Sequence, residues 1–289
     1  MKMAQTKTPA KSTRSKSRKS TEPRAASAPV VETRPVSVAR NGSSGPLHSG
    51  SSAAAPTSPA FDKTMADLKK AGTAQNRKIF PRHGVKGEFF GVSPAQLRSI
   101  TKKVKVDHDL ARQLWATGNH DARMLATMVA DPIALTASEL DQWVRQVDNY
   151  LLADSFSALV ARSPQAASRI DRWTRSKREF ERRCGFGIVA EALKEGVTIY
   201  PALLDAAINQ IEREIHSSAN RAREGMNNAL IAIGTYRDDL RDRALNTASR
   251  IGKVEVDQGE SGCSTLDAVE QIEKAFSRKK TTRKPRKSG

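Results

Sequence analysis

The sequence predicts an all-α chain, a helical-repeat solenoid (an α-α superhelix) held between two basic tails. Three observations point to it. Almost no segment alternates apolar and polar residues with the period of two that a half-buried strand needs. The middle of the chain breaks into amphipathic segments, most opened by a capping signal and closed by glycine or proline. Antiparallel helix pairs follow one another at roughly 35–45 residues, the spacing of HEAT-like stacks.

The tails are set apart by composition. Of a net charge of +18 over 289 residues, residues 1–60 carry +8 and residues 277–289 carry +7, which leaves +3 for residues 61–276. Residues 1–60 are rich in Ser, Ala, Pro, Lys and Arg and have almost no bulky apolar side chains. Such a segment cannot bury enough surface to offset its chain entropy, so disorder is expected for both tails. Lys/Arg-rich arms attract polyanions, nucleic acid first. No run of 18 apolar residues is present, and no apolar core follows the N-terminal lysines. A membrane span and a secretory signal are therefore not expected. Cys184 and Cys263 stand 79 residues apart, and the five histidines are scattered, so no metal site is predicted. Both cysteines read as small core residues of a reducing compartment.

In order along the chain, 61–72 places Phe61, Met65, Leu68 and Ala71 at helical spacing and ends at Gly72. Residues 75–92 are basic and punctuated by Gly and Pro, and read as a loop. Their Arg77, Lys78, Arg82 and Lys86 could face a phosphate backbone, with Phe80, Phe89 and Phe90 as a packing anchor. Ser93-Pro94-Ala95-Gln96 is a capping box with a first-turn proline. Residues 107–117 turn Leu110, Leu114 and Trp115 to one face. Residues 120–130 do the same with Met124, Leu125, Met128 and Val129, until Asp131-Pro132 stops them. Ser163-Pro164 begins the next helix. Residues 177–193 are basic at their start and apolar almost all round afterwards, which predicts a central helix. Pro201 opens another, 218–233 follows to Gly234, Thr235-x-x-Asp238 caps a helix through Ile251, and 265–276 is the last.

The stretch 136–154 stands apart. Thr136-x-x-Glu139 caps it, and read as one helix it aligns Leu140, Val144, Val147 and Leu151 in a stripe. Asp154 falls inside that stripe and Asp148 on its edge. An unpartnered buried carboxylate costs several kcal/mol, so two readings are open. If the helix breaks near Asn149, Asp148 caps the next helix and Asp154 pairs with an arginine such as Arg183. Otherwise the acids face a cationic ligand.

Five segments in the same order resemble the DNA alkylation repair enzymes, HEAT-like glycosylases of the AlkD type. They are FFGVSPAQLRSITKKV, LARQLWATGNHDARMLATMVA, the run W-x4-DNYLLAD-x-F, RRCGFGIVAEAL and NNALIAIGTYRDDLRDRAL, within about residues 85–276. The resemblance implies a curved stack holding duplex DNA, and excision of purines made cationic by N3- or N7-methylation. It matches the catalytic carboxylate to Asp148, the preceding pocket tryptophan most nearly to Trp143, and a DNA-binding arginine to Arg183. The second pocket tryptophan falls on or near Asn228, a departure that removes one wall of the aromatic cleft.

As the glycosidic bond breaks, the sugar becomes oxocarbenium-like, and a fixed carboxylate stabilises that cation more than the ground state. Asp148 would do this and orient water, with Trp143 or Tyr150 offering an aromatic face to the cation. Arg182 and Arg183 would clamp a phosphate. Arg221 and Arg223 are either further phosphate contacts or a solvated face. Two functions follow: a glycosylase for alkylated purines, and a non-catalytic module binding damaged or structured DNA. Double-stranded DNA is the expected partner, with no cofactor and no membrane. A monomer in the cytoplasm, at the nucleoid, is expected, or in the nucleus of a eukaryote.

Overall fold

A computed structural model of the chain describes residues 58–282. The expectation of disorder falls on residues outside these, apart from the stretches noted below. The described residues form α1 (Pro59–Ala71), α2 (Ala74–Ile79), α3 (Pro94–Val104), α4 (His108–Ala116), α5 (His120–Val129), α6 (Ala137–Val144), α7 (Tyr150–Ala161), α8 (Ala166–Trp173), α9 (Glu179–Lys194), α10 (Pro201–Glu214), α11 (Asn220–Tyr236), α12 (Arg241–Ile251) and α13 (Ala268–Thr282). No strand occurs among them; Gly72 and Val92 form a lone bridge.

Side-chain caps set most of the early boundaries. Ser58, Thr73, Ser93, Asp107, Asn119, Thr136 and Asn149 each accept a backbone N–H in the first turn of the helix they precede. Each such cap contributes about 1 kcal/mol. Thr136 and Glu139 close the capping box that their spacing predicts.

Several boundaries differ from the sequence reading. The segment 75–92 is not all loop: α2 and a 3-10 turn at Phe80–His83 occupy its first half. Its second half is fixed by buried Asp121, whose carboxylate accepts the N–H groups of Phe90, Gly91 and Val92 at 2.5, 2.9 and 2.9 Å. The run 136–154 is two helices, α6 and α7, so its single stripe is broken. The cap of α7 is Asn149, not Asp148. Gly234 does not end α11, which continues to Tyr236. Instead it admits α13, since a Cβ there would lie 2.6 Å from Ile272 Cδ1. Thr235 therefore sits inside α11, and α12 starts only at Arg241. The last helix extends six residues into the stretch assigned to the basic tail, and α1 begins at Pro59, two residues earlier than expected. Cys184 is buried, but Cys263 is exposed and not a core residue.

The helices stack in two rows. In one row α5, α7, α9 and α11 pack each on the next, and α13 packs on α11. The other elements of each pair, α4, α8, α10 and α12, lean on this row from outside. Glycines bring the first row close: a Cβ on Gly225 of α11 would sit 3.1–3.2 Å from the backbone and Cγ of Arg183 on α9. One on Gly187 would sit 2.5 Å from the Ser157 hydroxyl on α7. Fully buried Trp115, Phe156, Trp173 and Phe186 fill the space between rows.

Candidate nucleic-acid interface

Trp143 stacks on Trp115 with centroids 4.3 Å apart and planes at 3°. Phe156 extends the cluster from Trp115 at 5.6 Å to Trp173 at 5.9 Å. With 4 % of its surface exposed, Trp143 is a core residue, and the reading of it as a cleft wall is corrected. Burial of an indole stacked on another stabilises the fold.

Arg183 is also drawn inward. Its Nη2 donates to Asp154 at 2.9 Å, and its Nη1 donates to Glu224 at 2.6 Å and to the Arg221 carbonyl at 3.1 Å. Burial alone would lower its pKa, but the two carboxylates more than offset this and raise it. Burial alone would raise Glu224; Arg183, helped by Gln258 and Arg221, holds it below the usual carboxylate range. The sequence alternative in which Asp154 pairs with Arg183 is therefore the one adopted. Asn228 lies with Asp154, Arg183 and Gly225 around a cavity of about 110 Å³.

Arg182 points elsewhere and pairs with Glu214 of α10, so it is a bridge between pairs and not a phosphate clamp. Burial would raise Glu214, but Arg182 and Gln210 bring it below its ordinary value. Tyr150 lies under two guanidinium groups, Arg221 at 4.5 Å and Arg183 at 5.6 Å from its ring centroid. Its hydroxyl meets His83 Nδ1, and burial above all, with Cys263 nearby, pushes its pKa up to about 12. Arg221 donates to Glu224 at 3.0 Å and to Gln258 at 2.7 Å. Arg223 donates to the Glu255 carbonyl at 2.8 Å.

Asp148 behaves differently. It is exposed at the turn between α6 and α7, where it accepts from the Asn149 amide at 2.9 Å. Asn149 in turn lies 3.4 Å from Nδ1 of buried His120. Burial chiefly lowers the His120 pKa, against the opposing pull of Asp121 and Asp148.

These contacts bring helix N-termini together along one edge. His120 at the start of α5 donates its N–H to the Glu88 carbonyl at 2.9 Å and neighbours Asn149 at the start of α7. Arg178, the residue before α9, donates to the Arg145 carbonyl at 3.3 Å. Glu179, the first residue of α9, accepts the N–H of Arg221 in the first turn of α11 at 2.6 Å. Each N-terminus carries roughly half a positive charge. Exposed Arg82, Lys86, Arg145, Lys177 and Arg178 flank this edge. Among the described residues, only Arg178 of these five has an ion pair, a loose one to Glu181 at 3.7 Å.

The family model of the DNA alkylation repair enzyme matches residues 64–272. The chain belongs to the DNA alkylation repair enzyme family. Two bacterial relatives are the uncharacterized proteins Lin0241 of Listeria innocua and Lmo0209 of Listeria monocytogenes. The first is 27 % identical over 75 % of this chain and 98 % of its own length. The second is 26 % identical over 76 % and 99 %. A similar solved structure is 29 % identical, with a TM-score of 0.70 over 76 % of this chain and 94 % of the other. It is described as a new family of proteins related to the HEAT-like repeat DNA glycosylases with affinity for branched DNA structures.

Within the family fold, the sequence reading brought Arg183, Asn228, Tyr150 and Arg221 to one place and missed what surrounds them. Glu224 was legible as a carboxylate three residues after Arg221. Lys177 and Arg178 also had a signal, since cations at a helix N-terminus oppose the dipole and need another reason to be there. Arg145 and His83 had none, because only the chain's path brings them near.

Proposed function

We propose that this member of the alkylation repair family binds duplex DNA along the edge formed by the N-termini of α5, α7, α9 and α11, as a module that reads distorted or structured DNA. The observation that carries this reading is the alignment of four N-termini beside exposed Arg82, Lys86, Arg145, Lys177 and Arg178. The helix dipoles favour phosphate, and the flanking cations release counterions when they neutralise it. The affinity for branched DNA described for the similar structure supports the same reading. Burial of Trp143 in the core and the presence of Asn228 on the cavity favour binding over excision.

One observation favours excision as a second reading. Asp148 is exposed on this same edge, two residues from Tyr150, where it could stabilise a cationic sugar. Incubating the protein with methylated duplex and measuring released free base separates the two. Binding without release above an Asp148→Asn control supports the module. Release that this substitution abolishes supports the hydrolase, and failure to retain duplex or junction DNA at low salt overturns both.

A further inference from the structure

We propose that residues 253–267, which join α12 to α13, form an acidic strap that occupies the end of the DNA-binding edge and competes with phosphate for it. This rests on the DNA-binding reading above. In a chain of net charge +18, the segment carries Lys253 against Glu255, Asp257, Glu260 and Asp267.

The strap lies on the first turn of α11. Asn220 donates to the Asp257 carbonyl at 2.8 Å and accepts the Asp257 N–H at 2.7 Å. Arg221 and Arg223 are occupied by Gln258 and by the Glu255 carbonyl. The strap then reaches back across the stack: its 3-10 turn at Gly259–Ser261 packs against the turn at Phe80–His83. Cys263 faces the Tyr150 hydroxyl. Three polar side chains at the start of α11, and the tyrosine at the start of α7, are therefore covered by a segment of the same sign as a nucleic-acid backbone.

Its attachment suits a segment that lifts. Val254 is its one fully buried apolar residue, with Val256 half-buried against the core, and a hollow of about 760 Å³ lies between the strap and Asn220, Arg223 and Asn227. Burying so little apolar surface gives weak adhesion. Gly252, at a φ of +67°, starts it, and Asp267, accepting the Glu270 N–H at 2.9 Å, ends it. With the strap raised, Asn220, Arg223 and the side of Arg221 that Gln258 holds join the edge; with it down, its carboxylates repel an approaching phosphate.

The strap's carboxylates can be neutralised without cutting its anchors to α11, which are main-chain groups of residues 255, 257 and 266 and the Gln258 side chain. Among the described residues Glu255 pairs only with neighbouring Lys253, and Asp257 accepts the Gly259 N–H, which asparagine can also do. The test compares binding of a labelled DNA duplex by wild type, by Glu255→Gln/Asp257→Asn/Glu260→Gln, and by a control losing three remote charges, Asp109→Asn/Glu195→Gln/Glu273→Gln. Circular dichroism checks the fold of each. The strap variant should bind about tenfold tighter than wild type, exceed the control, and show a steeper dependence of affinity on salt. Equal affinities for the two variants, or a gain matched by the control, overturn the strap and leave the DNA-binding reading standing. Absence of duplex binding by all three proteins overturns both.

Discussion

The contact between α9 and α11 and the turn between α6 and α7 hold the two charged candidates that stand out in the sequence, and the fold treats them in opposite ways. At the first, Arg183 is taken into the protein and surrounded by Asp154, Glu224 and a carbonyl. At the second, the apolar neighbour Trp143 goes in, and Asp148 is left in water. The difference lies in what the next helix brings. Helix α11 approaches closely at Gly225 and carries Glu224, so a buried cation finds its partners. Next to Asp148 stand the Asn149 amide, His120, which burial disfavours as a cation, and the Arg123 guanidinium, whose N–H groups go to the Trp115 and Gln146 oxygens, so a buried carboxylate there would lack a hydrogen-bonded counter-charge. A charged residue in an apolar stretch thus marks a site only where the adjoining helix leaves it unneutralised.

The largest expected effect comes from removing the aromatic side of this comparison. Trp143→Ala should cost about 3–5 kcal/mol in urea denaturation, by deleting the stack on Trp115 and leaving a cavity. Trp143→Phe should fold and bind duplex DNA as wild type does. A selective loss of DNA affinity or base release in Trp143→Phe, at unchanged stability, would instead restore Trp143 to the functional surface.

Next comes the charged side. Arg183→Ala leaves Glu224 and Asp154 facing each other without their cation. With Asp154 partly in water, the loss should be about 2–3 kcal/mol, below that of a fully buried pair. Arg183→Met/Asp154→Asn/Glu224→Gln should recover much of that stability, because it removes the charges together. A triple variant no more stable than Arg183→Ala would show that packing of the guanidinium, and not its charge, holds α9 to α11.

Gly225→Ala should come third, at about 1–2 kcal/mol, since its Cβ would meet the Arg183 backbone at 3.1–3.2 Å and push the two helices apart. A melting temperature equal to that of wild type would mean the junction yields freely, and would weaken the claim that this close contact sets the spacing of the row.

How much of this was legible depends on the range of the interactions. Helix starts at Ser93 and Thr136 rest on contacts three residues apart, and the sequence displays them. The all-α stack follows from period and spacing, again local quantities. The break at Asn149 is harder to read. It depends on a cap that competes with an apolar stripe able to continue, and the cap wins because Asn149 is buried against His120 of another pair. The glycine at 234 looks like a stop and is instead a socket for Ile272, 38 residues away. At the candidate edge, Tyr150, Asn228 and Arg183 were found through the family pattern. The carboxylates that neutralise Arg183 were not assigned together, because Glu224 and Asp154 arrive from two different helices.

The smallest effect concerns pH at the turn between α6 and α7. His120 is buried beside Asn149, and its pKa is lowered mainly by burial. The unfolded chain binds a proton on this residue near its ordinary value of 6.5, where the folded chain does not. Its contribution to stability is therefore full above that pH and is lost as pH falls toward the folded value, because protons favour the unfolded state. Thermal melts taken downward from about pH 8 should show a decline through this window that His120→Gln removes. Glu224 of the α9–α11 network should not respond there, since it is held below the usual carboxylate range and its loss belongs to more acidic solutions, whereas burial pushes its neighbour Asp154 up. A His120→Gln variant that keeps the whole decline would place the sensitive group elsewhere and leave the α5–α7 contact with no titrating partner for Asp148.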